Sequence, residues 1–282
     1  MPIENTKLRK EMHMLANSNR VEQKDKKIEV DLIDSKLSNQ LLIRLIAKAR
    51  TFRKIDFRYT IFDTCYFRNC VFDSCDFTGC RFVNANLHGS SFTGCKFDYA
   101  VFERTIIDSD ILESGCPSHE NLKSRFARSL RMNFQQIGDA KAANLAIAVE
   151  LQATKVHLHK AWNSNESYYR KKYSGWKRAK ALFDWIEFQT LDFIWGNGES
   201  ALKLIRATIV LLLAMAITDV LAFHDPQRLG DYFIAFINSP QILLGVLTPP
   251  HYAGWYLTAI VFLRLVLFAF FMSIIIKRFN RR

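Results

Sequence analysis

The chain carries no glycine-rich loop of the kind that cradles phosphates and no nucleophile elbow, which speaks against catalysis. Its histidines form no paired metal-ligand set. His157 and His159 stand two apart on an expected helix and face different sides, and His224 has only Asp225 and Asp231 near it in sequence. Asn197 between two glycines reads as a hinge. No enzyme activity and no cofactor is expected. Acidic residues are short, 27 against 39 basic ones, for a formal net charge of +12. Between Glu166 and Asp184 there is no acid at all. The opening 30 residues lack the apolar run of a secretory signal and are too polar to make one.

What is present is a period. From Phe52 an apolar residue recurs every five positions, through Phe57, Phe62, Phe67, Phe72, Phe77, Phe82, Leu87, Phe92, Phe97, Phe102 and Ile107 to Leu112. Two residues before most of them stands a small one, from Thr60 and Cys65 to Ala100 and Thr105. Helices repeat at about 3.6 residues and strands at 2, so neither explains a period of five. A stack of short identical units does. Each pentad then forms one side of a square coil, with the large and small positions inward. Thirteen pentads at four per coil make about three coils, roughly 15 Å tall at strand spacing. Five of the six cysteines (Cys65, Cys70, Cys75, Cys80, Cys95) occupy the small slot. Their spacing belongs to the repeat and not to a zinc site, so they read as small interior residues and as reduced thiols of a cytosolic domain. Cys116 lies outside the register.

These pentads, with Asn84-Ala85-Asn86-Leu87-His88 nearest the usual form, resemble the pentapeptide-repeat family. The resemblance implies a right-handed quadrilateral β-helix over 51–115. The repeat is nearly neutral, which argues against the acidic DNA-mimic role of some members. The expected fold class is multidomain: this β-helix with flanking helices, and an α-helical two-span membrane domain with a re-entrant pore helix.

Around the repeat the chain reads as follows. Residues 1–33 form a polar N-terminal segment. Residues 34–50 read as a helix, N-capped by Asp34 or Ser35, with Leu37, Leu41, Leu45 and Ala49 on one face, closing the first coil. After the Gly115–Ser118 break, 116–162 reads as a helical hairpin. Leu122, Phe126, Leu130 and Phe134 line one face of its first helix. Residues 163–199 interleave basic and aromatic side chains as a membrane-surface linker does. Residues 200–282 hold two apolar runs, about 203–223 and 255–276, near the roughly 20 residues that cross a bilayer. Cations precede the first (Lys203, Arg206) and follow the second (Lys277, Arg278, Arg281, Arg282), while Arg228 is alone between them. The positive-inside rule then puts both termini and the repeat in the cytoplasm, with the spans in an inner membrane.

The segment 231–250 is too apolar for an external loop and too short to span, which makes it a re-entrant element sheltered by protein or a cavity. Two spans enclosing such a segment resemble the two-span ion channels, and bacterial proteins that join pentapeptide repeats to this module are a recognisable family. The resemblance implies a homotetramer around one pore, in a membrane-disrupting effector of antiphage defence. It also implies control by a nucleotide or oligonucleotide messenger made by a partner enzyme. No Thr-Val-Gly-Tyr-Gly run follows the pore helix, so a carbonyl-lined potassium filter is not expected. Asn238, Ser239, Gln241 and Thr248 are candidates for the pore mouth. Arg264, midway along the second span, either lines the pore, pairs with Asp219, or binds carbonyls of the pore loop. Arg125, Arg128, Arg131, Lys141, Lys171 and Lys172 are candidates for an anionic ligand. A membrane-anchored scaffold without conductance is the alternative function, and nucleic-acid binding by 123–180 a third.

Overall fold

The computed structural model describes residues 20–279, with side chains as far as Ile276; the expectations for residues 1–19 and the cationic tail beyond Ile276 lie outside the described residues. The chain divides into two compact units, one up to Lys160 and one from Ala161.

In the first unit the pentads wind into a β-solenoid of four faces. One face is a parallel sheet of β1 (Val21–Lys24), β4 (Gln40–Ile43), β7 (Ile61–Asp63), β10 (Arg81–Val83) and β12 (Val101–Glu103). The second stacks β2 (Lys27–Ile28), β5 (Ile46–Lys48) and β8 (Tyr66–Arg68), continued by single bridges from Tyr66 to Asn86 and Asn86 to Ile106. The third stacks β3 (Leu32–Ile33), β6 (Thr51–Arg53), β9 (Val71–Asp73) and β11 (Ser91–Thr93). The fourth is a column of bridges through Lys36, Asp56, Asp76 and Lys96. Partners such as Phe52 and Phe72, or Phe62 and Phe82, stand one turn apart. The inward rings therefore stack in ladders, Phe62 on Phe82 at 4.7 Å and Phe77 on Phe97 at 4.9 Å, within 10° of parallel. Each buried ring contributes about 2–3 kcal/mol by transfer alone, and the offset stacking about 0.5–1.5 kcal/mol more.

The small slot has a second property. Its side chain donates to a carbonyl of the turn below: Thr60 Oγ1 to Leu37 O at 2.6 Å, Ser90 Oγ to Phe67 O at 2.7 Å, Cys80 Sγ to Phe57 O at 2.9 Å. Thr, Ser and Cys interchange there because each is small and carries one donor.

The repeat begins earlier than expected. Residues 34–50 are not a capping helix; they contain β4 and β5 and belong to the coils. Leu32, Leu37, Leu42 and Ala47 continue the five-residue period backwards, and about four turns result in place of three. The first coil has one side a residue short: Ile28 pairs with Ala47 but Leu32 with Phe52.

At the other end the period fades into α1 (Ile111–Ser114), and α2 (Glu120–Gln136) lies against β12. Phe126 covers the last rings, 5.6 Å from Phe97 and 6.0 Å from Phe102. The next polar face of α2 meets the open edge of the last turn. Ser129 Oγ accepts from Phe102 N at 2.9 Å and Gln136 Oε1 from Arg104 N at 3.0 Å. Asn133 pairs with both backbone groups of Thr105. After a turn at Gly138, α3 (Ala140–Asn163) packs its alanines Ala142, Ala143 and Ala146 into the same core.

The second unit holds α4 (Ser167–Lys172), α5 (Trp176–Trp195), α6 (Ala201–Phe223), α7 (Leu229–Leu244) and α8 (Gly254–Phe279). Ser200 caps α6 through Lys203 N. Both α6 and α8 are long and apolar enough to cross a membrane. On α8 only 6% of the most apolar window is buried, with Trp255, Phe262, Leu265 and Phe268 bare.

Candidate functional site

The site is the chain between α6 and α8. Packing places α7 antiparallel to α6: Ala235 meets Ala216 and Val220, and Ile242 and Leu243 meet Met215. Thus α7 starts at the C-terminal end of α6 and returns alongside it. It stops at Gly245, a left-handed residue at φ 77°. The irregular segment that follows then climbs back, because Tyr252 Oη donates to Asp219 Oδ1 at 2.8 Å and the His251 ring lies 4.6 Å from Phe223. The whole hairpin enters and leaves at one end of α6.

Arg264 holds the tip. Its Nη1 donates to Leu244 O at 2.8 Å, one of the carbonyls left unpaired where α7 ends. Of the three arrangements open to Arg264, this is the carbonyl contact; the pair with Asp219 is not formed. The cause is depth. Asp219 lies in the last turns of α6, level with the start of α8, and ten residues along α8 descend about 15 Å. Gly245 is matched to the same contact, since a Cβ there would collide with Arg264 Nη1. Below the tip, Leu204, Ile205, Thr208, Leu267, Phe268 and Phe271 line an apolar cavity of about 360 Å³ whose single charge is Arg264.

The other mouth candidates divide. Ser239 is buried and bonds back to Ala235 O at 2.7 Å, satisfying its own helix ahead of Pro240. Asn238 is half-buried, and Gln241 and Thr248 are exposed.

The anion candidates are gathered only in part. Arg125, Arg128 and Arg131 share α2, but Arg128 Nε and Arg131 Nε each bind a different oxygen of Glu150 at 2.8 Å. Arg125 lies over the Tyr99 ring at 5.8 Å. Arg125 and Arg128, together with Tyr99, Glu103, Ser129, Met132 and Gln136, line an open cavity of about 600 Å³, which Arg131 does not reach. Lys141 is exposed at the start of α3. Lys171 and Lys172 belong to the second unit, where Lys172 Nζ binds Tyr168 Oη at 3.1 Å, which raises its pKa. Sequence reasoning missed Glu150 because its partners are on another helix, and missed the convergence of His224, His251 and Tyr252 on Asp219 because a hairpin closure is not a local pattern.

Burial dominates at Cys65, Cys70 and Cys80 of the repeat. It pushes Cys65 up to about 12 and Cys80 further up still. All six cysteines are free.

Known proteins resemble the first unit. Two family descriptions of pentapeptide repeats match, one of eight copies over 52–89 and one of nine copies over 72–111. The crystal structure of a pentapeptide repeat protein from the Arabidopsis thaliana thylakoid lumen is 22% identical, over 30% of this chain and 77% of that one, with a TM-score of 0.13. No curated protein matches the chain.

Proposed function

From a chain that carries pentapeptide repeats over 52–111, we propose one subunit of an oligomeric membrane pore, with the repeat unit as its signal-receiving part. The observation that carries the proposal is the hairpin 224–253, which begins and ends at the same end of α6 and whose tip is held by Arg264. Backbone turned at that depth is tolerated only where protein or a water-filled cavity surrounds it. A single copy leaves Phe233, Ile234, Ile237 and Leu244 exposed on α7, so neighbouring subunits supply the shelter. Polar termini on the α5 side agree with this orientation: Lys203 is paired with Asp192 at 2.7 Å and Arg206 with Phe193 O at 2.8 Å at the start of α6. In that reading both termini face the cytoplasm of a bacterial cell. The wider role is that of a membrane-disrupting effector in antiphage defence under a nucleotide or oligonucleotide signal, which rests on the family resemblance alone.

The test is conductance. Reconstituted full chain is expected to pass ions through liposomes, deletion of 231–250 to abolish the current, and Arg264→Ala to change ion preference or leak. Ion-tight liposomes with inserted wild-type protein under every ligand tried would leave the second reading, a membrane-anchored scaffold. The bare outer faces of the solenoid, with Val71, Tyr59 and Tyr99 exposed, favour that second reading's docking role.

A further inference from the structure

The carboxylate of Asp219 is the meeting point of three segments. It is 9% exposed, at the end of an apolar helix. Tyr252 Oη is bonded to Oδ1 at 2.8 Å. His251 Nε2 stands 3.5 Å from Oδ1, and His224 Nδ1 stands 3.7 Å from Oδ2. These two distances are within ion-pair range and beyond a formed hydrogen bond. The rings are held beside the carboxylate by packing: His251 edge-on to Tyr252 at 5.0 Å and against Phe223 at 4.6 Å, His224 at 6.1 Å from His251. Tyr256 Oη bonds Thr218 Oγ1 at 3.0 Å beside them.

We propose that Asp219, His224 and His251 form a proton-operated clamp that locks the returning limb of the hairpin to the end of α6. An imidazole takes up its second proton around pH 6–7. A neutral ring at these distances holds the carboxylate weakly. A protonated one presents a charged donor to a buried anion, and such charge-assisted bonds are shorter and about twice as strong. Acid therefore draws 224 and 251 onto 219. The other charged or titratable groups at this end do not compete for Asp219. Asp225 and Arg228 face each other at 3.5 Å, Tyr232 of α7 packs on Val220 with Asp231 one residue before it, and Tyr252 is already the donor. Among the described residues no group of three His, Cys, Asp or Glu side chains has the arrangement of a metal site, and the EDTA arm of the test below separates a proton from a metal ion as the operator. The clamp does not rest on the pore reading, since its readout is local order and not current.

The test is hydrogen exchange of the full chain in nanodiscs, corrected for the intrinsic effect of pH. Between pH 7.5 and 5.5 the non-proline amides of 219–228 and 251–256 are expected to slow about tenfold, while those of α5 do not change. His224→Gln with His251→Gln, and separately Asp219→Asn, are expected to remove the pH effect, with the rest of the exchange map intact. A pH effect that survives the double histidine variant, or none in the wild type, overturns the clamp. So does protection already present at pH 7.5 that EDTA abolishes, which would make the three residues a metal site.

Discussion

Asn133 treats Thr105 as one strand treats another: its Oδ1 accepts from Thr105 N at 2.7 Å and its Nδ2 donates to Thr105 O at 2.8 Å. Both residues are fully buried. The side-chain amide of a helix thus stands in for the peptide of a missing next turn. Asn133→Leu would leave two buried backbone groups unpaired, at about 1–3 kcal/mol each. The expected result is a loss of about 2–6 kcal/mol in denaturant unfolding of the repeat, with amide exchange at Thr105 accelerated first.

Gly245 and Arg264 should behave as a coupled pair. Gly245→Ala puts a side chain into a left-handed position, which costs about 1–2 kcal/mol, and drives its Cβ against Arg264 Nη1. In the Arg264→Met background the second cost disappears. Thermal unfolding in detergent is expected to show the double variant less destabilised than the sum of the singles, by about 1 kcal/mol. Additive losses would separate the two residues.

The repeat should lose stability in alkali. A native thiol held above the ordinary value near 9 keeps its proton where the unfolded chain gives it up. The contribution is fully present below pH 9 and is lost as pH rises towards the native value of Cys65, about 12. Urea midpoints are expected to fall between about pH 9 and 10.5. Cys65→Ser with Cys80→Ser should flatten that fall, since serine keeps the donor to Leu42 O and Phe57 O and does not titrate there. At pH 8 the native chain should leave both thiols unalkylated until denaturant is added.

Glu150 restrains the charge of α2. With its side chain only 15% exposed it occupies Arg128 and Arg131 together. Glu150→Gln is expected to tighten binding of a short single-stranded oligonucleotide and to steepen its salt dependence by up to about 1–2 in slope. Fluorescence anisotropy at two salt concentrations measures both. An unchanged slope would remove α2 from the anion-binding surface.

The five-residue period made the interior of the solenoid legible, because each Phe repeats its environment one turn later. The first turns were hidden by two accidents. Leu37, Leu41 and Leu45 stand four apart and imitate a helical face, and Leu45 and Ile55 put large side chains where later coils carry small ones. The shortened side between Ile28 and Leu32 then breaks the count. Leu122, Phe126, Leu130 and Phe134 announced the buried face of α2, yet nothing in that pattern said that Ser129, Asn133 and Gln136 would serve the open edge of the last turn. For Arg264, the sequence left the pair with Asp219 open, and the carbonyl it holds depended on where α7 stops.

A square coil also dictates how such a protein can grow. Adding twenty residues slots in a storey, every column keeps its partners, and α2 meets the same corner as before. Adding five turns everything downstream through a quarter revolution, so Ser129, Asn133 and Gln136 would arrive at the wrong wall. Lineages of this chain should therefore differ in height by whole storeys, or else carry a rebuilt lid.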